Sequence, residues 1–167
     1  LTVIVYNFVD MLSHSKTEME VVKELASNDK AYRSLTVSWF KNSPLLDIIQ
    51  QAQELGFKLI ITTDHGTINV KNPSKGIGDR DTSLNLRYKT GRSLSYDEKD
   101  VLAAKNPKDI YLPSLSMNSS FIFAKGDLFF AYPNNYNHYV SYYRNTYQHG
   151  GVSLEEVIIP FVVLNPR

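Results

Sequence analysis

Phe57-Lys58-Leu59-Ile60-Ile61-Thr62-Thr63-Asp64-His65-Gly66 is the stretch on which the fold of this chain turns. Its apolar, β-branched run has the character of a strand covered on both faces, and it ends on a carboxylate, an imidazole and a glycine. Just upstream, Leu45, Leu46, Ile48, Ile49, Ala52 and Leu55 recur at helical spacing, with Pro44 in the first turn and Gly56 as the stop. Another apolar run, Leu1 to Val9, precedes the helical region and also reads as a buried strand. Strand, helix, strand predicts a right-handed βαβ unit, and so an α/β fold with a mostly parallel sheet flanked by helices. Ligands of such sheets gather at the carboxyl ends of the strands. Asp10 and His14 follow the first strand there, and Asp64 and His65 follow the second.

The rest of the chain is read outward from this unit. Asp10 to Ser15 is expected to be a loop, and residues 17–27 a short amphipathic helix capped by Ser15 or Thr17. Residues 31–55 predict two helices broken at Asn42-Ser43-Pro44. Residues 66–95 are polar and Gly-rich and read as an insertion at the active-site edge, with short strands at Ile68–Val70 and Leu86–Tyr88. Tyr96–Ala104 predicts a short helix. Lys125-Gly126-Asp127 predicts a hairpin turn between Ser119–Ala124 and Leu128–Ala131. A helix over Asn134–Tyr147 and a last strand over Val157–Leu164 complete the expectation.

Composition narrows the function classes. A net charge of +1 gives no field that would favour nucleic acid or an anionic membrane. With no cysteine, disulfides and thiolate zinc sites are excluded, so any metal must be held by His, Asp or Glu. The absence of cysteine also fits a cytoplasmic protein. No signal peptide is visible, and no apolar run approaches the ~20 residues a bilayer requires, so no membrane insertion is expected. The chain does not begin with Met and opens directly into a strand-like run, which predicts a piece of a longer protein. At 167 residues it is long enough for one domain with a real core.

Three of the four histidines fall in Asp10-Met11-Leu12-Ser13-His14, Asp64-His65-Gly66 and Tyr147-Gln148-His149-Gly150-Gly151. Taken singly, each fragment is more often a helix cap or part of an ion pair than a metal ligand. Together they supply five nitrogen and oxygen donors, the ligand chemistry of zinc, and suggest hydrolysis of phosphate esters. The glycine pair after His149 lets the backbone turn sharply while the imidazole faces inward.

Asp10-x-x-x-His14, Thr63-Asp64-His65-Gly66 and His149-Gly150-Gly151, in that order, resemble the ligand set of the alkaline phosphatase superfamily. The segment His149-Gly150-Gly151-Val152-Ser153-Leu154-Glu155-Glu156-Val157-Ile158-Ile159-Pro160 resembles its PglZ branch. The whole chain is similar to the C-terminal part of the PglZ domain in PorX-type response regulators, which are linked to type IX secretion. Trp39-Phe40-Lys41-Asn42-Ser43-Pro44-Leu45 and Asp79-Arg80-Asp81-Thr82-Ser83 fit that resemblance less specifically. The resemblance implies an alkaline-phosphatase-like core, with residues 1–167 as the C-terminal portion of a single larger domain. It implies that Asp10, His14 and His149 hold one zinc and that Asp64 and His65 hold a second.

In the family the second metal is completed by an earlier Asp and by a Ser or Thr nucleophile, both upstream of the Asp-x-x-x-His strand. Neither can be carried onto this chain. The resemblance therefore implies a two-zinc phosphodiesterase or phosphatase whose fragment holds about one zinc and does not turn over. Its implied partners are the upstream part of the same protein, with a receiver domain, and a phosphoester or nucleotide substrate. The alternative is a zinc-dependent dimerisation or signalling module without catalysis. A homodimer is a further expectation, because loss of the upstream half would expose a sheet edge.

Other residues invite roles with competing explanations. Arg87 and Lys89 in the polar insertion are candidates to contact substrate phosphate, against the alternative of a solvated strand. Thr63 and Thr67 neighbour the ligands, but a Thr beside an Asp-His pair commonly just hydrogen-bonds its loop. Glu155 and Glu156 read as capping or solvent-facing groups, and His138 as a surface or interface residue rather than a ligand. Tyrosines 136, 139, 143 and 147 follow helical spacing and read as core or subunit contacts rather than a base-stacking platform.

Overall fold

In the computed structural model the chain divides into two units, one formed by Leu1–Asp64 with Ile159–Arg167 and the other by His65–Ile158. The structure describes residues 1–18, 24–25, 28–78, 82–114 and 118–166, with the backbone alone for 14–18. Among these residues are five α-helices and nine short strands. The ladders are mostly antiparallel, so the expected mostly parallel sheet does not form.

The first unit contains helices α1 (Phe8–Glu18), α2 (Asp29–Lys41) and α3 (Pro44–Glu54), then strand β1 (Leu59–Thr62). The break between α2 and α3 falls at Asn42-Ser43, as the local signals predict, with Pro44 opening α3. Gly56 has φ +79°, a left-handed turn that suits glycine just past a helix. Residues 1–7 form no strand, and Asp10 to Ser15 lie in α1 rather than in a loop. An apolar run holds extended form only where a neighbouring strand takes up its backbone N–H and C=O groups. Among the described residues none does so here. Phe8 instead opens α1 and stacks on Trp39 of α2, with ring centroids 3.9 Å apart and planes 5° apart. The Tyr32 hydroxyl of α2 donates to the Val9 carbonyl at 3.1 Å and shares a 2.7 Å hydrogen bond with Ser13 Oγ. The helix expected over 17–27 lies largely outside the described residues.

Without a first strand there is no βαβ unit. β1 pairs instead with the last strand, β9 (Phe161–Leu164), antiparallel and in the register Leu59–Leu164 to Thr62–Phe161. Thr62 Oγ1 reinforces this edge by donating to the Pro160 carbonyl at 2.9 Å.

The second unit contains β2 (Ile68–Val70), β3 (Asn72–Ser74), β4 (Tyr88–Gly91), β5 (Val101–Ala104), β6 (Ser120–Ala124), β7 (Leu128–Phe130), α4 (Tyr136–Tyr143), β8 (Thr146–Gln148) and α5 (Leu154–Val157). The segment read as an edge insertion is part of this unit's interior: Val70 and Arg87 are fully buried. The strand expected at Leu86–Tyr88 forms two residues later, as β4. Val101–Ala104, expected to end a helix, is a strand because β6 offers it a ladder, Val101 opposite Ala124 through Ala104 opposite Phe121. This is tertiary pairing overriding local propensity.

Lys125-Gly126-Asp127 does make the expected turn, with Leu128 N donating to Lys125 O at 3.1 Å. Its two strands nevertheless join different ladders. β6 sits between β4 and β5, while β7 pairs in parallel with β3. The predicted helix over Asn134–Tyr147 shortens to α4, since Thr146–Gln148 is claimed by β2.

Three apolar clusters fill the second unit. Ile68, Val70, Leu86, Phe129 and Ala131 form one, with Tyr136, Val140 and Tyr143 of the α4 region against it. Val101, Ile122, Ala124 and Phe130 form the next, and Ala104, Phe121 and Phe123 the third. Tyrosines 136 and 143 are therefore packing residues, and Tyr147 is buried in β8.

Candidate metal centre

Two of the predicted ligands belong to the second unit, and the β2–β8 ladder explains why they meet. In an antiparallel pair, residues just before one strand lie beside residues just after the other. Ile68 is opposite Gln148, so the segment leading into β2 lies beside the segment leaving β8. Those segments carry His65 and His149. Their imidazoles stack with centroids 3.8 Å apart and planes 10° apart. His65 Nδ1 lies 3.0 Å from the Gly66 carbonyl oxygen. A carbonyl can only accept, so Nδ1 is the donor of this contact, and a neutral ring in this tautomer carries its lone pair on Nε2. A ligating histidine characteristically donates its other ring N–H to a carbonyl or carboxylate in this way. The residues present therefore fit a metal with imidazole ligands.

Both histidine loops are held from below by one residue. Glu156 of α5 is buried, 3% exposed, and its backbone carbonyl accepts from Gly66 N at 2.8 Å. Its Oε1 accepts from Gly151 N at 2.9 Å, and its Oε2 from Ser153 N at 3.2 Å. This last bond is one half of a capping box over Ser153-x-x-Glu156. The approach is close enough to require glycine. A Cβ on Gly66 would meet the Glu155 carbonyl oxygen at 2.1 Å, and one on Gly151 would meet Glu156 Oε2 at 2.6 Å. Gly150 turns with φ +101°, and Asn85 Nδ2 lies beside it and donates to the His149 carbonyl at 3.4 Å.

Opposite Glu156 stands Arg87, fully buried. Its Nε donates to Glu156 Oε1 at 2.9 Å and its Nη2 to Oε2 at 2.8 Å, a bidentate pair, while Nη1 donates to the Leu128 carbonyl. Burial alone would push the Glu156 carboxyl up. The Arg87 hydrogen bonds and charge, with help from Ser153 and Gly151, hold it below the usual range instead. The solvent-facing reading of Glu156 is thus corrected, and its capping role stands.

Neither Arg87 nor Lys89 is on a solvated strand. Lys89 is 4% exposed; its Nζ donates to the Ser83 carbonyl at 2.8 Å and lies 5.0 Å from the Tyr132 ring centroid. Burial lowers its pKa to about 8. A phosphate contact by Arg87 would require opening the pair with Glu156.

The remaining predicted ligands lie in the first unit. Asp10 is half-buried on α1, and His14 lies one helical turn further along it, its side chain outside the described set. Asp64 follows β1, with Thr63 Oγ1 donating to its Oδ1 at 3.4 Å. His138 is exposed on α4. Residues 79–81 of Asp79-Arg80-Asp81-Thr82-Ser83 lie outside the described residues.

Sequence reasoning missed the Arg87–Glu156 pair, although both residues had been noticed singly. A legible signal existed for one half: Ser153-x-x-Glu156 is a capping-box pattern that places Glu156 at a helix start. No helix among the described residues is long and apolar enough to cross a membrane. The family model for the BREX system PglZ alkaline phosphatase-like domain matches residues 1–164. No curated protein matches the chain.

Proposed function

The chain belongs to the PglZ alkaline phosphatase-like family, and on that footing we propose that it is the metal-binding portion of a phosphoryl-transfer hydrolase. In this reading Asp10, His14, Asp64, His65 and His149 are the ligands of up to two zinc ions. Such ions, when bound, clamp the attacking and leaving oxygens of a phosphoester displacement and activate the attacking oxygen. The observation that carries the proposal is the meeting of His65 and His149 across the β2–β8 ladder, with the His65 tautomer fixed by Gly66. The Glu156 contacts to Gly66 and Gly151 hold both loops.

The finer parts of the proposal are supported by the motif resemblance. They are zinc as the metal, phosphodiesters such as nucleotides as the substrate class, a cytoplasmic response regulator with a receiver domain as the parent, and a link to type IX secretion. The resemblance assigns the family's Ser or Thr nucleophile and its additional Asp ligand to no residue of this chain. We therefore expect the 167-residue chain to hold about one zinc and to release no product from an aryl phosphodiester.

The test is zinc content, measured by elemental analysis, together with aryl phosphodiester turnover by the full-length parent supplied with zinc. His149→Ala is expected to release metal, and unchanged zinc affinity would remove His149 from the ligand set. A zinc-loaded parent without hydrolysis would sink the hydrolase reading. Zinc-dependent self-association in that same sample would leave the binding-module alternative in its place.

A further inference from the structure

The geometry points to the buried Arg87–Glu156 ion pair as the positioning element of the metal centre, setting the two imidazoles through the loops that carry them. This rests on the reading of His65 and His149 as ligands. It adds residues that touch neither metal nor substrate in that reading.

The argument starts from the carboxylate's acceptor sites. Glu156 receives four donors: Arg87 Nε and Gly151 N on Oε1, and Arg87 Nη2 and Ser153 N on Oε2. An ionised carboxylate offers about four lone-pair directions, so the set is filled. A neutral amide of the same shape has one oxygen and would turn an NH2 group toward two of these donors. The site therefore demands the charge as well as the shape. A buried carboxylate persists as an anion only with a cation beside it, and Arg87 supplies that cation in a two-pronged form that lysine cannot copy.

Two loops depend on this one side chain and its backbone. Gly151 N, two residues after His149, binds the carboxylate, and Gly66 N, one residue after His65, binds the Glu156 carbonyl. The turn preceding Arg87 adds a third tie. Asn85 Oδ1 accepts from Arg87 N at 2.7 Å and Tyr88 N at 3.2 Å, while Asn85 Nδ2 reaches the His149 carbonyl. The Gly66 and Gly151 positions leave no room for a Cβ, so both loops approach Glu155 and Glu156 more closely than a residue with a side chain could. Nothing else in the second unit joins both histidine loops to one buried charge among the described residues.

The experiment compares three variants of the protein with the parent sequence: Glu156→Gln, Arg87→Lys and, as a control, Val101→Ala. Val101 is buried in the core on the β5–β6 ladder, which carries neither histidine loop. Two quantities are read: zinc affinity by competition with a chromophoric chelator, and the imidazole resonances of His65 and His149 by NMR without metal. Outer partners of metal-ligating histidines typically change affinity by about 10–100-fold when altered. Glu156→Gln is expected to weaken zinc within that range and to shift both imidazoles in the metal-free protein. Arg87→Lys keeps the charge and loses the fork, so it should do the same more weakly and remain folded if Glu156→Gln does not.

Val101→Ala should lower the melting temperature without moving either readout. Affinity that merely tracks melting temperature across all three variants would overturn the inference, and so would unmoved imidazoles in Arg87→Lys. If the unaltered protein binds no zinc, the metal reading fails. The metal-free imidazole shifts then still decide whether the pair positions the two rings.

Discussion

The two units use similar apolar residues to opposite effect. In the first, β1 and β9 carry Ile60, Ile61, Phe161, Val162 and Val163, all exposed, with Ile60 at 57% and Phe161 at 66%. In the second, Ile122, Phe129 and Phe130 are essentially inaccessible. All the buried hydrophobic residues among those described lie between Ile68 and Tyr147. The difference is one of partners, not composition. Two strands cannot cover both of their own faces, whereas β4-β6-β5, the β3–β7 pair and α4 cover one another. The candidate metal centre's buried support, Arg87–Glu156, sits in the unit that can exclude water from it.

The widest gap between the units should appear at that ion pair. Arg87→Met removes the cation and leaves a buried carboxylate, a change that typically costs about 3–5 kcal/mol. The loss should show in urea unfolding followed by near-UV circular dichroism and amide exchange of the second unit. Trp39, the only tryptophan, stacks on Phe8 in the first unit, and its fluorescence transition should move much less. Equal movement of both transitions would mean that the units unfold as one. The pair also has a pH signature. The folded Glu156 carboxyl is held below the usual range, so its stabilisation is present above the ordinary carboxylate pKa and is lost as pH falls through the folded value. Arg87→Met should flatten that acid limb.

A matched pair of substitutions sharpens the contrast at the next level. Ile122→Ala in β6, at 1% exposure, should cost about 2–5 kcal/mol through lost burial and an unfilled cavity. Ile60→Ala in β1 removes the same atoms from a largely solvated position and should cost under about 1 kcal/mol. Comparable losses would show that β1 is covered in solution. Amide hydrogen exchange extends the comparison without mutation. Phe121, Ile122 and Phe123, paired on both edges of β6, should exchange orders of magnitude more slowly than Ile60 and Ile61. Equal protection would break the comparison.

What the sequence disclosed follows the range of the interaction. The α2–α3 break at Asn42-Ser43-Pro44, the turn at Lys125-Gly126-Asp127 and the strand Ile68–Val70 are written in a few adjacent residues, and all three are present. Strand partners are chosen by distant residues. The βαβ unit was therefore read where β1 in fact pairs with β9, and a hairpin where β6 and β7 part company. The histidines were legible because His-Gly-Gly and Asp-His-Gly are local patterns, though their meeting depends on the β2–β8 register. Arg87 and Glu156 were misplaced outward for a sound reason: charged residues are seldom buried unless paired, and this pair spans 69 residues of chain.

The smallest effect concerns Lys89 of β4, a buried cation whose ammonium rests on Ser83 O and the Tyr132 ring. Burial brings its pKa to about 8, below the value of 10.5 for a free lysine. Between those values the unfolded chain binds a proton that the folded chain does not, so stability should rise as pH climbs from about 8 toward 10. Above that window Tyr132 and Tyr143 work in the opposite sense, because burial raises both phenols and their ionisation favours the unfolded chain. Lys89→Met removes the titrating group while retaining most of the aliphatic stem. Its urea midpoint, followed by near-UV circular dichroism, should vary less between pH 8 and 10 than that of the unaltered protein. A midpoint that rises just as steeply in Lys89→Met would assign the slope to other groups and leave Lys89 charged within the unit. In that case the second unit would bury two permanent cations where the first, among its described residues, buries none.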